Sequence, residues 1–252
     1  MEEVRKFARV DNGWSIIGSG GYNCVVGEVG STVLHRIGNI KQNFVVKNML
    51  ERGDAILQIF SENTAKLGPA SLVIQQPARI IPFRELQQEI RDKIQNLELF
   101  YIKVERTKKV KQKDGTEVEE TYYERIPDDN LMERDINYQI VERLSGGSMV
   151  AGKHLETFAS TSFMLLWFLY VAQCEYGFRH RDLKPHNIVF RDMGRQRVFT
   201  FTLDDVMSFT FETRYVPVLL DFDFASIAIT NDTMRRAGGT LRYLSPEFII
   251  QK

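Results

Sequence analysis

Residues 178–192, FRHRDLKPHNIVFRD, place two Asp, three Arg, two His, one Lys and one Asn in fifteen positions. Ile188-Val189-Phe190 inside the stretch is an apolar, β-branched run that reads as a buried strand. The residues before it, FMLLWFLYVA from Phe163 to Ala172, form the longest apolar run of the chain. Ten residues are half of the roughly 20 that a bilayer-spanning helix needs, so this run is expected to be a core helix. A buried helix, a polar loop and a buried strand in succession hold charged side chains at the rim of a hydrophobic core. Such an arrangement is costly unless the charges pair with one another or meet a ligand.

Asp182 and Asn187 flank Lys184 and Pro185 in that loop. A carboxylate can accept a proton from a hydroxyl, an ammonium can neutralise a phosphoryl oxygen, and an amide oxygen can ligate a hard cation. A second apolar run, YVPVLL, leads directly into Asp221. Two strands that each end in such residues suit a site for a polyanion and a metal.

The rest of the chain gives its own local signals. WSIIGSGGYNCVVGEV, from Trp14, has apolar runs on both sides of a glycine-rich turn and reads as two strands. NFVVKNM is a short β-branched run and reads as a strand carrying Val45 and Lys47. Helical spacing of apolar residues covers 53–67 and 83–97, and 155–176 is one strongly apolar helix. Asp114-Gly115 is a hairpin turn signal that sets Lys109 opposite Glu120. Residues 137–149 read as a strand entering a Gly-Gly loop, and 197–220 as β-rich.

Thirty-three basic residues balance thirty-three acidic ones, which gives no global pull toward nucleic acid or an anionic membrane. The N-terminal residues are charged and lack an apolar signal core. Cys24 and Cys174 form no disulfide framework, so a reducing interior, cytoplasmic or nuclear, is expected.

His180-Arg181-Asp182-Leu183-Lys184-Pro185-His186-Asn187 resembles the catalytic loop of eukaryotic-type serine/threonine protein kinases. Asp221-Phe222-Asp223 resembles their Mg-binding Asp-Phe-Gly motif, with Asp in place of Gly, and Ser245-Pro246-Glu247 resembles Ala-Pro-Glu. IIGSGGYNCVV resembles the glycine-rich loop, with Asn23 at the third glycine, and FVVK the strand of the ATP-phosphate lysine. These motifs run in kinase order from residue 14 to 248. The resemblance implies an α+β, bilobal fold over 1–252: a β-rich N-lobe to about 142, a hinge at about 141–147 and a partial, mainly helical C-lobe from about 148.

It implies ATP and Mg²⁺ as cofactors and a protein Ser/Thr hydroxyl as acceptor. Asp182 would be the base, Lys184 would lie near the γ-phosphate, and Asn187 and Asp221 would hold the metal. Gly18, Ser19, Gly20 and Gly21 would approach the phosphates, and Lys47 would bind them. Val25, Val45 and Val189 would enclose the adenine, with Val141, Glu142 and Leu144 as the hinge. Glu62, 15 residues after Lys47, is the expected partner of that lysine, with Glu89 as the alternative. Thr230, Thr233 and Thr240 would lie in the activation segment. Asp-Phe-Asp strings also occur in small-molecule phosphotransferases of the same superfamily, and a pseudokinase that binds a kinase or its substrate is the non-catalytic alternative. The sequence ends five residues after Glu247, so a shortened C-lobe is expected. The apolar helix would then be covered by a second copy, by a partner protein, or by the chain's own insertions at 69–130 or 191–215.

Overall fold

The structure is a computed structural model. It describes residues 13–19, 23–38, 43–78, 80–96, 101–111, 117–127, 137–149, 157–203 and 206–228. The chain divides into two units.

The first unit comprises residues 1–30, 35–43 and 81–138. Strands β1 (Trp14–Ser19), β2 (Asn23–Glu28) and β3 (Val33–Gly38) are joined by antiparallel pairing. All five strands of the sheet β1-β2-β3-β7-β4 contribute to this unit, where β4 is Ile80–Pro82 and β7 is Asn137–Glu142. Helix α3 (Gln88–Asn96) supplies Ile94 to a core of Trp14, Val26, Ile37, Phe83, Leu86 and Tyr138. His35 is buried with that core, its ring 4.6 Å from Trp14, and Nδ1 hydrogen-bonds the Tyr138 hydroxyl.

Strands β5 (Tyr101–Lys111) and β6 (Glu117–Pro127) form the long hairpin expected from the sequence. The register differs by one residue. Lys109 faces Glu119, and Lys108 faces Glu120 with an ion pair of 3.0 Å. Lys111 pairs with Glu117, which leaves five residues in the connection, an odd number that no two-residue turn can produce. The turn itself lies outside the described residues.

The second unit comprises residues 31–34, 44–80 and 139–252. Helix α1 runs from Asn43 to Glu62, so the segment expected as a strand at Val45 and Lys47 is helical. The reason is the longer pattern. Met49, Leu50, Gly53, Ile56, Leu57 and Phe60 are all buried, and their spacing follows the helical period over several turns. The two β-branched residues of the seven-residue NFVVKNM stretch do not compete with that. A short helix α2 (Thr64–Leu67) follows.

Helix α4 (Phe158–Tyr176) lies in the core of this unit. Strands β8 (Ile188–Leu203) and β9 (Met207–Leu219) form a hairpin that accounts for the 33 residues between Asn187 and Asp221. Phe201, Phe209 and Phe211 of the hairpin lie 5.2–5.6 Å from Phe163 of α4. The 191–215 insertion therefore covers one side of the apolar helix. Among the described residues, no helix is long and apolar enough to cross a membrane.

Candidate active site

The site is built where α4 ends. Gly177 takes a left-handed conformation (φ 61°) and its N–H bonds back to the last turn, which stops the helix. A side chain there is excluded twice, because an added Cβ would also lie 2.7 Å from Ala228 Cβ. Phe178 is then buried against Phe60 and Phe222 at 5.2 and 5.6 Å. Arg179 pairs with Ser226 through two backbone bonds of 2.9 Å, tying the segment after Asp221 to this loop.

His180 is 4 % exposed and bridges the two halves of the site. The Asp182 amide donates to its Nδ1 at 3.3 Å, so Nδ1 is the acceptor. Nε2–H therefore donates to the Leu220 carbonyl at 2.9 Å. This arrangement uses a neutral ring. Burial pushes the His180 pKa below its ordinary value, against the opposing pull of the Leu220 carbonyl, Asp221 and Asp182.

Asp182 is 4 % exposed, and its Oδ2 accepts from Lys184 Nζ at 2.6 Å and from Asn187 Nδ2 at 3.1 Å. Asn187 Nδ2 also donates to the Asp182 carbonyl at 2.9 Å. Both amide N–H groups are thus directed to one residue, and the amide oxygen, an acceptor only, is turned the other way. Asn187 closes a single 3₁₀ turn (Pro185–Asn187), in which its N–H bonds to the Lys184 carbonyl at 2.9 Å. Pro185 suits the start of such a turn, where no N–H donor is required.

Asp221 reaches the site through strand pairing. Ile188 pairs with Leu219, and the Leu220 N–H donates to the Asn187 carbonyl at 2.8 Å. Asp221 follows at once, in a left-handed conformation (φ 65°) that turns the chain sharply. Phe222 is buried, with its ring 5.2 Å from His180. Gly53 of α1 packs on Phe222, where an added Cβ would lie 3.1 Å from its carbonyl. A glycine inside a helix costs about 1 kcal/mol relative to alanine, and this close approach is its physical reason.

The other sequence-predicted residues are distributed as follows. Gly18 and Ser19 end β1, and Val25 lies in β2 opposite Gly18. Val141 and Glu142 end β7, Leu144 follows it, and Val189 lies in β8 with Val218 opposite. The Glu142 carboxylate is engaged by Arg191 through Nε at 3.1 Å and Nη2 at 2.8 Å, and Arg191 Nη1 also holds the Leu72 carbonyl at 2.8 Å. That clamp escaped the sequence reading because 49 residues separate its partners. Gly146 and Gly147 also bond to Phe190 through backbone bonds of 2.8 Å. Gly20, Gly21, Thr230, Thr233 and Thr240 lie outside the described residues.

Two expectations are corrected. Val45 and Lys47 sit on α1, not on a strand. Glu62 lies on the same helix, 15 residues further on, which at about 1.5 Å per residue is about 22 Å. That axial separation, set by the helix backbone, exceeds the reach of a lysine side chain. Glu62 instead accepts from Gln58 at 2.7 Å, and Glu89 pairs with Lys93 at 3.1 Å.

Among the described residues, no three His, Cys, Asp or Glu side chains gather into a ready metal cage. Mg²⁺ does not require one, since it is commonly held by one or two carboxylates together with substrate phosphates and water. The Asp221 carboxylate and the Asn187 amide oxygen are a donor set of that kind.

Residues 147–242 match the family described as poxvirus serine/threonine protein kinase. The matched segment contains Asp182, Lys184, Asn187 and Asp221. The match covers less than half of the chain, whose fold is α+β. A crystal structure of a kinase domain is similar at 16% identity and a TM-score of 0.41. The similarity covers 95% of this chain and 58% of that one. No curated protein matches the chain.

Proposed function

We propose that this chain transfers the γ-phosphoryl group of ATP to serine or threonine hydroxyls of a protein substrate. The observation that carries the proposal is the Asp182 carboxylate, buried yet fixed by Lys184 and Asn187, with Asp221 one residue beyond the Leu220–Asn187 bond. Phosphoryl transfer asks mainly for alignment and for neutralisation of charge. The Asp182 carboxylate orients the acceptor hydroxyl and takes its proton. Lys184 donates to one carboxylate oxygen and stands beside the path of the transferring group. Asn187 and Asp221 would hold a magnesium ion, which would supply charge neutralisation at the phosphates. Serine/threonine selectivity rests on the Asp-Leu-Lys-Pro form of the loop and on the description of the matching family.

The test is transfer of radiolabelled phosphate from Mg-ATP to a mixed protein substrate, with identification of the modified residues. Phosphoserine and phosphothreonine are expected. Products dominated by phosphotyrosine, or no transfer by a folded chain that binds Mg-ATP, would refute the proposal.

A further inference from the structure

Helix α4 carries no charged side chain from Phe158 to Cys174, seventeen residues in a row. A helix that is apolar all round needs cover on every side. Met164, Phe168 and Ala172 face the core, and Phe163 and Trp167 pack against Phe201 of the β8–β9 hairpin. Another side is open, where Leu166 is 65 % and Tyr170 50 % exposed.

At about 100° per residue, Ala159, Ser162, Leu166, Tyr170 and Gln173 all lie within about 40° of the Leu166 direction. Ala159 and Gln173 are exposed, and Ser162 is half-buried. The spacing along this seam, 3, 4, 4 and 3, reads the same from either end. The sizes do not. Ala159 and Ser162 are small, whereas Tyr170 and Gln173 are large.

That combination fits a second α4 laid antiparallel about a two-fold axis at Leu166. Residues equally far before and after Leu166 then face each other across the contact. Ser162 meets Tyr170 of the second copy, Ala159 meets Gln173, and Leu166 meets Leu166. Small stands against large on both sides of the axis, as close packing requires. A parallel pairing would instead set Tyr170 against Tyr170 beside a gap between two Ser162 side chains. No charge lies in the seam, so closing it strips no ion of water.

We infer that α4 is a self-association surface, on which a second copy of this chain seats its own α4 antiparallel, with Leu166 on the two-fold axis. Five seam positions are few beside the roughly 20–30 residues a side of a standard interface, so the dimer forms and dissociates with concentration. Phe158 and Cys174, about 80° to either side of Leu166, lie at its rim. The inference concerns α4 alone and is independent of the phosphoryl-transfer chemistry.

The test is sedimentation velocity on the 252-residue chain across the micromolar range, beside Leu166→Glu and Leu166→Gln. The wild-type mass is expected to rise from that of one chain toward that of two. Leu166→Glu sets two carboxylates face to face on the axis and should weaken association roughly 100-fold or more. Leu166→Gln should weaken it less. Circular dichroism melts check folding, and if Leu166→Glu is unfolded, Leu166→Gln and the cysteine variants decide. Those variants carry Cys174→Ser and read the register by mild oxidation. Leu166→Cys should crosslink to itself, whereas Ser162→Cys and Tyr170→Cys should crosslink when mixed and far less when alone. A wild-type chain that stays monomeric, association that Leu166→Glu leaves unchanged, or Ser162→Cys that crosslinks alone as well as in the mixture would each overturn the inference. In the monomeric case, a Leu166→Cys thiol that resists alkylation assigns the seam to the chain's own segments, and one that reacts freely leaves it to a different protein.

Discussion

The Leu220 amide donates to the Asn187 carbonyl at 2.8 Å, and the Leu220 carbonyl accepts from His180 Nε2 at 2.9 Å. One residue thereby joins the loop of Asp182 to the turn of Asp221. Its backbone has no freedom to slide, because Leu219 is already paired with Ile188. The two groups proposed to hold magnesium are tied together by the Leu220–Asn187 main-chain bond, which side-chain substitution in the site does not remove.

The first prediction follows from that rigidity. Asp182→Asn keeps the size of the side chain and removes the proton acceptor. Lys184 and Asn187 still donate to the remaining oxygen. Turnover is expected to fall roughly 10²- to 10⁴-fold, the usual range for a positioned general base. Mg-ATP should still raise the melting temperature, because ligand binding to the native state stabilises it by mass action. Full activity in the variant would show that Asp182 is not the base.

A second prediction concerns Gly146. An added Cβ would lie 2.5 Å from the Phe190 carbonyl oxygen and 2.7 Å from Phe190 Cβ. The Gly146 N–H donates to that same oxygen at 2.8 Å, so Gly146→Ala cannot relieve the clash without losing the bond. Overpacking of this kind costs about 1–3 kcal/mol. At roughly 2–4 °C per kcal/mol for a chain of this size, a calorimetric melt should move down by several degrees. A melting temperature equal to wild type would mean that 145–147 and β8 are not in contact.

How much of this was legible in the sequence depended on the range of each signal. The site at 180–187 was readable because its chemistry is packed into eight adjacent positions. Asp221 was readable because an apolar strand leads into it. The strand reading at Lys47 fails because Val45 and Val46 sit inside a helical period that continues to Phe60. The Glu62 pairing failed with it, since a helix separates residues along its axis by a fixed rise. The one-residue error at Lys109 came from assuming a two-residue turn. The Arg191–Glu142 clamp depends on tertiary pairing and left no local signal, whereas the helical glycine at 53 was a signal that could have been followed to Phe222.

The third prediction separates the two cysteines. Cys24 lies partly buried on β2, and burial pushes its thiol up to about 11. The reactive species is the thiolate, which is then scarce at neutral pH. Cys174 lies exposed near the end of α4. A mild alkylating reagent at pH 7.5 is expected to label Cys174 rapidly in the folded chain and Cys24 only after denaturation. Peptide mapping by mass spectrometry reads both sites. Rapid labelling of Cys24 in the native chain would show that the thiol is open to solvent and not raised.

The last prediction concerns pH and the core of the first unit. His35 is 6 % exposed, next to Trp14 and hydrogen-bonded to the Tyr138 hydroxyl. Burial pushes its pKa below the ordinary value of 6.5, and the nearby Glu28 charge opposes that shift only in part. The unfolded chain therefore takes up a proton at higher pH than the folded chain does. Stability is fully kept above about pH 6.5 and declines as pH falls toward the lowered folded value, because protonation favours the unfolded state. His180 has a lowered pKa as well, so the wild-type slope alone does not isolate His35. A comparison does. His35→Gln retains a polar side chain and removes this titration. Between pH 7.5 and 5.5 its melting temperature is expected to fall less than that of the wild type, even if it starts lower. Parallel slopes in the two proteins would show that His35 takes up its proton as readily in the fold as outside it.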